Sequence, residues 1–327
     1  MNHRYKIAVL GPIARDHVTT HQGEVFEKYG CVIYTAAVLS ALCEPGSAIV
    51  PVTHVRRTDL EPVLNLLSTL PGVDLEHVSA GADRGDIISL RYLDQNRRVE
   101  RQTGLMPPIA PHDVDPLLDA DAFVMVPITD FEVPLNTLAY IKAHSDALVV
   151  FDAHGPTNGC SRAGERFHKF WVDRDMWLPH IDILKMNLEE AACSWFPSEI
   201  AEQDLDQRHE LALDELPKFA HHCLAHGVRA LYVTLDEYGC AVYFHNRDGD
   251  MKEHFVKRIH VDKVVDTTGC GDSFAGGLTF GYLRTKDFIR ACYFGNAAGA
   301  QRCSGSELAV YRDLAATELQ IQETYLS

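Results

Sequence analysis

Residues 266–277 read DTTGCGDSFAGG. The glycines at 269 and 271 allow successive backbone amides to turn toward one point. Beyond them, Phe274, Leu278 and Tyr282 recur every four residues, which predicts a helix with a buried stripe. The start of a helix adds unpaired N–H groups and the positive end of the helix dipole. The segment therefore predicts a loop that binds an anion and runs directly into a helix.

Asp272 falls in the first turn of that predicted helix. A carboxylate there lies beside the position of a bound phosphate and can accept a proton from an attacking hydroxyl group. The alternative is a tight glycine turn followed by an acid that only caps the helix. A four-residue GxGD match does not separate the two interpretations, so the rest of the chain has to.

Short apolar runs upstream predict strands buried on both faces: Lys6 to Leu10, Ile49 to Thr53, Phe123 to Val126, Leu148 to Asp152, Ile183 to Met186 and Leu231 to Leu235. Between them, helical spacing of apolar residues predicts helices over Leu60 to Leu70, Val133 to His144 and Leu211 to His226. This alternation predicts an α/β fold with a mostly parallel central sheet flanked by helices.

Two segments alternate polar and apolar residues around turn residues and predict hairpins: Asp86 to Leu93 with Arg97 to Thr103, and Ala241 to His245 with Lys252 to Arg258. The first is polar enough to project as a small lid beside the main sheet. No repeat or linker divides the chain. We therefore expect one domain over residues 1–327, with lid insertions around 12–32 and 84–104.

The chain of 327 residues has a formal net charge of -16, which repels nucleic acids and anionic membranes. Neither is an expected partner. Nine single cysteines without a CxxC pair argue against disulfides and structural zinc and favour a cytoplasmic protein. Among the 17 histidines, no HExxH occurs, and His221 and His222 have no ligand partner at metal spacing in the sequence.

Several motifs occur in one order along the chain: residues 11–16 read GPIARD, residues 187–190 read NLEE, residues 234–239 read TLDEYG, and DTTGCGD follows. In this order the sequence resembles the ribokinase-like carbohydrate kinases of the phosphofructokinase-B type. The resemblance covers nearly the whole chain. It implies an ATP-dependent transfer of the γ-phosphoryl group to a hydroxymethyl group of a sugar, sugar acid or nucleoside. Asp272 would be the general base, and the segment Gly269, Cys270 and Gly271 would form the anion hole.

The resemblance also implies cofactor and nucleotide contacts. Asn187 and Glu190 would organise Mg²⁺ through water, and Thr268, Gly269 and Gly271 would meet the phosphates of ATP. A nucleotide loop would use Thr234, Asp236 and Gly239, although Asp236 stands where the family usually has glycine. Asn296 would begin the helical segment beside adenine, where Ala297, Ala298 and Gly299 could equally serve helix packing.

A monovalent cation, K⁺, is a further implication of the resemblance. It would be held by Asp266, by Thr268 and by a backbone carbonyl near Gly305. Such an ion would steady the adjoining anion-binding loop.

On the acceptor side, Asp16 and Gly30 match positions that bind the sugar in the family. Here Cys31 replaces a second glycine and Thr35 stands where asparagine is usual. The identity of the acceptor is therefore open, and ribose is expected to be a poor substrate. Further candidates to shape the pocket are His17, Tyr34, Phe131 and His154.

Two other functions compete with the kinase. A non-catalytic sugar- or nucleotide-binding regulator on the same fold is motivated by the altered acceptor residues, but a binder has no need of Asp272 as a base. A nicotinamide-dependent dehydrogenase would require GxGxxG after the first strand, and residues 11–16 lack it. A P-loop motif is also absent. A homodimer through the lid is a further candidate for the assembly of the protein.

Overall fold

The computed structural model describes residues 3–93, 98–196 and 213–326. Within these ranges the strands are β1 (Lys6–Leu10), β2 (Arg15–Thr19), β3 (Val25–Tyr29), β4 (Ala48–His54), β5 (Val78–Ser79), β6 (Ile87–Tyr92), β7 (Arg98–Gly104), β8 (Ala122–Met125), β9 (Leu148–Asp152), β10 (Asn158–Cys160), β11 (Arg166–His168), β12 (Ile183–Asn187), β13 (Ala230–Thr234), β14 (Gly239–His245) and β15 (Met251–Lys257).

The helices of the same ranges are α1 (Val32–Leu42), α2 (Arg57–Leu67), α3 (Pro111–Val114), α4 (Leu135–His144), α5 (Arg174–Trp177), α6 (Leu188–Ser194), α7 (Leu216–Ala225), α8 (Cys270–Thr285), α9 (Phe288–Cys303) and α10 (Leu314–Ile321). No helix of these ranges is both long enough and apolar enough to cross a lipid bilayer.

Nine strands form the central sheet, in the order β15-β14-β13-β12-β9-β8-β1-β4-β5. The strands from β13 to β5 run parallel, and β14 and β15 add an antiparallel edge. Side chains alternate between faces: in β1, Ile7 and Val9 pack toward α1 and α8, whereas Ala8 and Leu10 pack toward α4 and α7. Burial on both faces explains why these strands are continuous apolar runs.

A second, four-stranded sheet has the order β3-β2-β6-β7. We call it the small sheet. It combines the hairpin β6–β7 with β2 and β3 from the start of the chain, and β2 pairs with β6 in parallel. Its strands carry many polar residues, and β3 exposes Val25 and Phe26. Because β1 leads directly into β2, the small sheet stands beyond the carboxyl end of β1.

Helices α8 and α9 are consecutive and pack closely along their length. Gly277 makes this approach possible, since a Cβ there would lie 2.5 Å from the backbone oxygen of Phe294. Phe274, Leu278 and Tyr282 are buried as the spacing predicts, and the opposite side of α8 is buried too. The helix that carries Asp272 is therefore enclosed by protein over most of its surface.

The predicted α/β fold and all six predicted strands are confirmed, with shifts of one residue at their ends. The second hairpin belongs to the edge of the central sheet. Predicted helix ends were less accurate: Leu60 to Leu70 is α2, which begins and ends three residues earlier. Of the other ranges, Arg97, Leu211 and Ala212 lie outside the described residues. The strands β2 and β3 were not predicted individually, because their sequences are too polar to be recognised as strands.

Candidate active site

The loop predicted to bind an anion precedes α8 and is fixed by hydrogen bonds within the protein. We call residues 266–271 the cradle. Gly269 adopts φ 82°, in the left-handed region that favours glycine, and a Cβ on it would lie 2.2 Å from the ring of Tyr34. The Thr268 amide donates to Asp266 Oδ1 at 2.9 Å, and the Ser273 hydroxyl donates to the Gly269 carbonyl at 2.6 Å. These hydrogen bonds within the chain fix the shape of the cradle.

Asp272 lies in the first turn of α8, as predicted. Burial and the nearby charge of Asp152 raise the pKa of its carboxyl, Lys185 opposes the shift, and the resulting pKa is about 6. A carboxyl with this pKa is mostly ionised at neutral pH and is still basic enough to accept a proton. The backbone oxygen of Asp272 accepts a hydrogen bond of 3.0 Å from the Thr35 hydroxyl, which ties this turn to α1.

Lys185 is a functional candidate that the sequence reasoning missed. It lies on β12, and its Nζ donates to Asp152 Oδ2 at 2.7 Å. A Cβ on Gly271 would be 3.0 Å from the same Nζ, so the ammonium group borders the cradle. Burial lowers the pKa of Lys185, but the charges of Asp152 and Glu190 outweigh burial and raise it. The available signal was a single lysine inside the apolar run from Ile183 to Met186.

The predicted pair Asn187 and Glu190 forms a reciprocal capping box at the start of α6. The Asn187 amide donates to Glu190 Oε2 at 2.8 Å, and the Glu190 amide donates to Asn187 Oδ1 at 2.7 Å. His154 Nδ1 lies 2.9 Å from Glu190 Oε1. Burial raises the pKa of Glu190, but the hydrogen bond from His154 and the charge of Lys185 bring it down to about 2.

This environment decides how Glu190 could act on a metal. The carboxylate is ionised, yet donors from protein already engage both of its oxygens. Such a group fits a magnesium ion held through water molecules better than one bound directly. The residues present therefore fit the expected indirect role.

The predicted nucleotide residues lie at the ends of β12 and β13 and on α9. Asp236 has φ 48°, a left-handed conformation that aspartate tolerates better than most residues; the loop thus keeps a backbone shape in which glycine is usual. It leads into Gly239 at the start of β14. The Thr234 hydroxyl donates to the Met186 carbonyl at 3.3 Å, so this side chain joins the two strands.

A cavity of about 620 Å³ adjoins this loop. Its walls include Glu237, Tyr238, Lys257, Arg258, Ile259, His260 and residues of the C-terminal helices. Asn296 is not among them: its side-chain amide donates to the Lys257 carbonyl at 3.1 Å and to the Tyr325 hydroxyl at 3.0 Å. The structure thus gives Asn296 a role in joining α9 to β15 and to the end of the chain.

On the acceptor side, Asp16 is buried on β2. A Cβ on Gly30 would lie 3.3 Å from Asp16 Oδ2, which shows how closely the two approach. Cys31 follows with φ 56°. Burial raises the pKa of its thiol, and the charges of Asp272, Asp16 and Asp86 raise it further. Asp86 was not among the predicted acceptor residues; its backbone oxygen accepts from the Arg15 amide at 3.0 Å, next to Asp16 on β2.

Thr35 and the other acceptor candidates occupy different positions. Thr35 is fully buried behind the cradle, where its hydroxyl donates to the backbone oxygen of Asp272; its predicted contact with an acceptor stays a prediction. Tyr34 packs against Gly269, and His154 contacts Glu190. His17 pairs with Glu27 at 2.7 Å, and Phe131 is exposed.

The groups predicted to hold K⁺ are already bound to cationic side chains. Asp266 Oδ2 accepts from Arg302 Nη2 at 2.8 Å and from Lys28 Nζ at 3.0 Å, and the Gly305 carbonyl accepts from Arg302 Nη1. Burial raises the pKa of Asp266, but the Thr268 amide and Lys28 bring it down to about 2. With two positive charges on one carboxylate, these residues do not fit a third cation.

All nine cysteines are free, although Cys270 of the cradle lies 3.0 Å from Cys303 between their sulfur atoms. One group within the described ranges has the composition of a metal site: Asp175, His222 and His226, with ligand atoms within 4.8 Å of one another. The expectation that His222 lacks ligand partners was therefore wrong. The group joins α5 to α7 and includes no residue of the cradle.

Known proteins that match this sequence include carbohydrate kinases. The model of the pfkB family of carbohydrate kinases matches residues 147–310. An uncharacterized sugar kinase of Archaeoglobus fulgidus is 38% identical over 82 residues, 25% of this chain and 30% of that protein. The 2-dehydro-3-deoxygluconokinase of Bacillus subtilis is 35% identical over 107 residues, 32% of this chain. The matched part spans about 30% of the length of each of these two curated relatives.

Solved structures match over nearly the whole chain. The ribokinase of Arabidopsis thaliana, complexed with ribose and ATP, has a TM-score of 0.71 at 16% identity and covers 98% of this chain and 99% of its own. A pyrophosphate-dependent kinase in the ribokinase family has a TM-score of 0.71 at 17% identity and covers 97% of this chain and 99% of its own. At such identities the likeness shows a shared ribokinase-like fold. With the family match over half of its residues, the chain belongs to the pfkB family of carbohydrate kinases.

Proposed function

We propose that this protein is an ATP-dependent kinase that phosphorylates a hydroxymethyl group of a sugar, sugar acid or nucleoside. The observation that carries the proposal is Asp272: a carboxyl with a pKa raised to about 6 lies in the first turn of α8. The cradle amides precede it, and Lys185 borders Gly271. A base and an anion-binding loop in this arrangement suit phosphoryl transfer.

In the proposed reaction, Asp272 accepts the proton of the acceptor hydroxyl group, and the oxygen of that hydroxyl group attacks the γ-phosphorus of ATP. The bond from that phosphorus to the β–γ bridging oxygen breaks, and ADP leaves. The cradle amides of Gly269, Cys270 and Gly271 and the Lys185 ammonium group stabilise the charge on the moving phosphoryl group. Magnesium, when bound, neutralises donor phosphates; Glu190 and Asn187 would hold its water molecules.

The donor is proposed to be ATP because a cavity of about 620 Å³ adjoins the loop Asp236 to Gly239. That volume falls in the range of ligand pockets and would give the nucleobase of ATP a place to bind. Pyrophosphate is the second candidate, since one similar structure is a pyrophosphate-dependent kinase. Thr234 and Asn296 would stabilise the strands and the helix around this cavity, through their hydrogen bonds to Met186, Lys257 and Tyr325.

The proposed role of the small sheet is that of a lid over the acceptor, which would exclude water from the reaction. Asp16 of β2 and Gly30 would bind acceptor hydroxyls. Its exposed apolar residues, Val25, Phe26 and Val99, suit the proposed homodimer through the lid. A cytoplasmic location remains a prediction from the composition.

The test is an acceptor screen with the purified protein, Mg²⁺ and ATP, in which ADP release is measured with sugars, sugar acids and nucleosides. A parallel series replaces ATP by pyrophosphate. We expect acceptor-dependent ADP release that Asp272→Asn abolishes. Acceptor binding in the absence of any turnover with either donor would instead support the non-catalytic regulator.

A further inference from the structure

A second cavity, of about 590 Å³, lies where the end of β7 meets the hairpin β10–β11. Among the residues that the structure describes, its walls contain three arginines and no acidic side chain. They are formed by Arg56, Arg84, Gln102, Thr103, Gly104, Leu105, Cys160, Ser161, Arg162, Ala163 and Gly164. We call it the arginine pocket. In a protein with a net charge of -16, three guanidinium groups around one cavity concentrate positive potential at a single place.

The three arginines are not neutralised by carboxylates. Across residues 3–93, 98–196 and 213–326, none of Arg56, Arg84 and Arg162 takes part in an ion pair. The Nε of Arg56 is buried and has no hydrogen-bond partner within the described ranges. Guanidinium groups without carboxylate partners gain charge-assisted hydrogen bonds when an anion binds between them.

The arginine pocket shares a wall with the acceptor side of the active site. Gln102 lines the pocket, and its amide nitrogen donates to Asp86 Oδ1 at 2.7 Å. The Asp86 carbonyl accepts a hydrogen bond of 3.0 Å from the backbone amide of Arg15, the residue before Asp16 on β2. Gln102 and Asp86 therefore connect the arginine pocket to the strand that carries the predicted acceptor residue Asp16.

We propose that the arginine pocket binds an anionic group, a phosphate or carboxylate, of the phosphoryl acceptor. This rests on the proposed kinase function and narrows its acceptor from sugars in general to anionic ones. Guanidinium groups bind both phosphate and carboxylate through paired N–H donors. The three arginines come from separate loops, so they converge only in the folded chain.

The first experiment measures binding without catalysis. Inorganic phosphate is titrated against the parent protein, Arg84→Met, Arg162→Met and the control Arg57→Met, and Tm is recorded. Arg57 neighbours Arg56 but does not line the cavity. We expect phosphate to raise the Tm of the parent and the control, and to raise it less in the two pocket variants. Equal shifts in all four proteins would overturn the pocket.

The second experiment assigns the anion to the acceptor. Matched neutral and anionic acceptors, such as a hexose with its sugar acid and its phosphate ester, are compared by kcat/KM. We expect an anionic member to be preferred, phosphate to compete with it, and Arg84→Met to raise its KM about 10- to 100-fold. If phosphate changes the rate without competing with the acceptor, the pocket binds a separate anion that regulates the enzyme. That result would overturn the assignment of the pocket to the acceptor. If no acceptor reacts, the kinase proposal fails, while the Tm experiment still judges the pocket.

A separate observation concerns Arg302, in the last turn of α9. Its side chain is fully buried and bridges the Asp266 carboxylate and the Gly305 carbonyl. Its guanidinium carbon also lies 4.6 Å from the centroid of the Tyr34 ring, a distance at which a cation is attracted to the ring face. The family resemblance assigned Asp266 and the carbonyl near Gly305 to K⁺. In this structure both groups bind the guanidinium group of Arg302 instead.

We infer that Arg302 replaces the monovalent cation and positions the cradle through Asp266. The parent should show the same rate and the same Tm in K⁺ and in tetramethylammonium. Arg302→Ala should lower kcat about 10- to 100-fold and regain rate with added guanidinium or K⁺; Lys28→Met should show no such rescue. A higher rate or a higher Tm of the parent in K⁺ than in tetramethylammonium would overturn the inference. The Tm comparison can be made even if no acceptor is found.

Discussion

The cradle and the arginine pocket are both suited to anions, but they are constructed differently. The cradle uses backbone amides at the start of α8 and one lysine, Lys185, that is already paired with Asp152. The arginine pocket uses three side chains that form no ion pair with any residue of the described ranges. Fixed dipoles suit charge that develops and moves during a reaction, because they need not reorganise. Unpaired guanidinium groups suit a permanent charge that must be bound and released.

The difference implies that the two places respond to different substitutions: the cradle should control turnover and the arginine pocket should control acceptor affinity. Asp272→Asn tests the first half most strongly. We expect kcat to fall about 10²- to 10⁴-fold. Phosphate binding at the arginine pocket, measured by Tm, should persist. The variant should not lose stability, because it removes a charge that burial disfavours. A near-parental kcat would exclude Asp272 as the base.

Asp16→Ala tests whether acceptor affinity can be changed separately from the binding of ATP. We expect the KM of the acceptor to rise about 10- to 100-fold, since a buried carboxylate that binds hydroxyl groups is lost, while the KM of ATP stays unchanged. His17→Ala is the matched control, because His17 is the next residue of β2 and its imidazole pairs with Glu27. Equal changes in both KM values would mean that Asp16 supports the fold and not the acceptor.

The acid limb of the pH profile tests the protonation state of Asp272. Its pKa is about 6, so the base is available above pH 6 and becomes protonated as the pH falls. We expect kcat/KM to drop about tenfold for each pH unit below that value. His154, Lys185 and Asp152 also act on Asp272 electrostatically, so the residual rate of Asp272→Asn is the reference. A profile that stays flat to pH 5 would contradict this assignment.

Glu190→Gln addresses the magnesium network, with the smallest expected effect. Loss of the charge should raise the Mg²⁺ concentration for half-maximal rate about tenfold, with little change in the KM of the acceptor. Glu189→Gln is the control, because Glu189 lies in the same turn of α6 and is exposed. An unchanged Mg²⁺ titration for both variants would remove Glu190 from the metal network.

The sequence predicted the central sheet well because burial on both faces demands apolar runs, and β1, β9 and β12 have them. It predicted the cradle because glycines and a helix start are adjacent in the chain. The arginine pocket could not be predicted, since Arg56, Arg84 and Arg162 are separated by long stretches. Lys185 and Arg302 were missed for a related reason: a single cation in a strand or helix gives no sign of the carboxylate it will meet.

The close packing of α8 on α9 has a consequence for folding kinetics. Only Lys286 and Asp287 separate these helices, so their contacts close a short loop and require little chain entropy. The hairpin carries Asp272 in its first turn and Arg302 in its last. The acceptor side and the arginine pocket instead need segments between Asp16 and Gly164 to meet. We expect substitutions in the contact surface of α8 and α9 to slow folding. Substitutions in the arginine pocket should mainly change the unfolding rate.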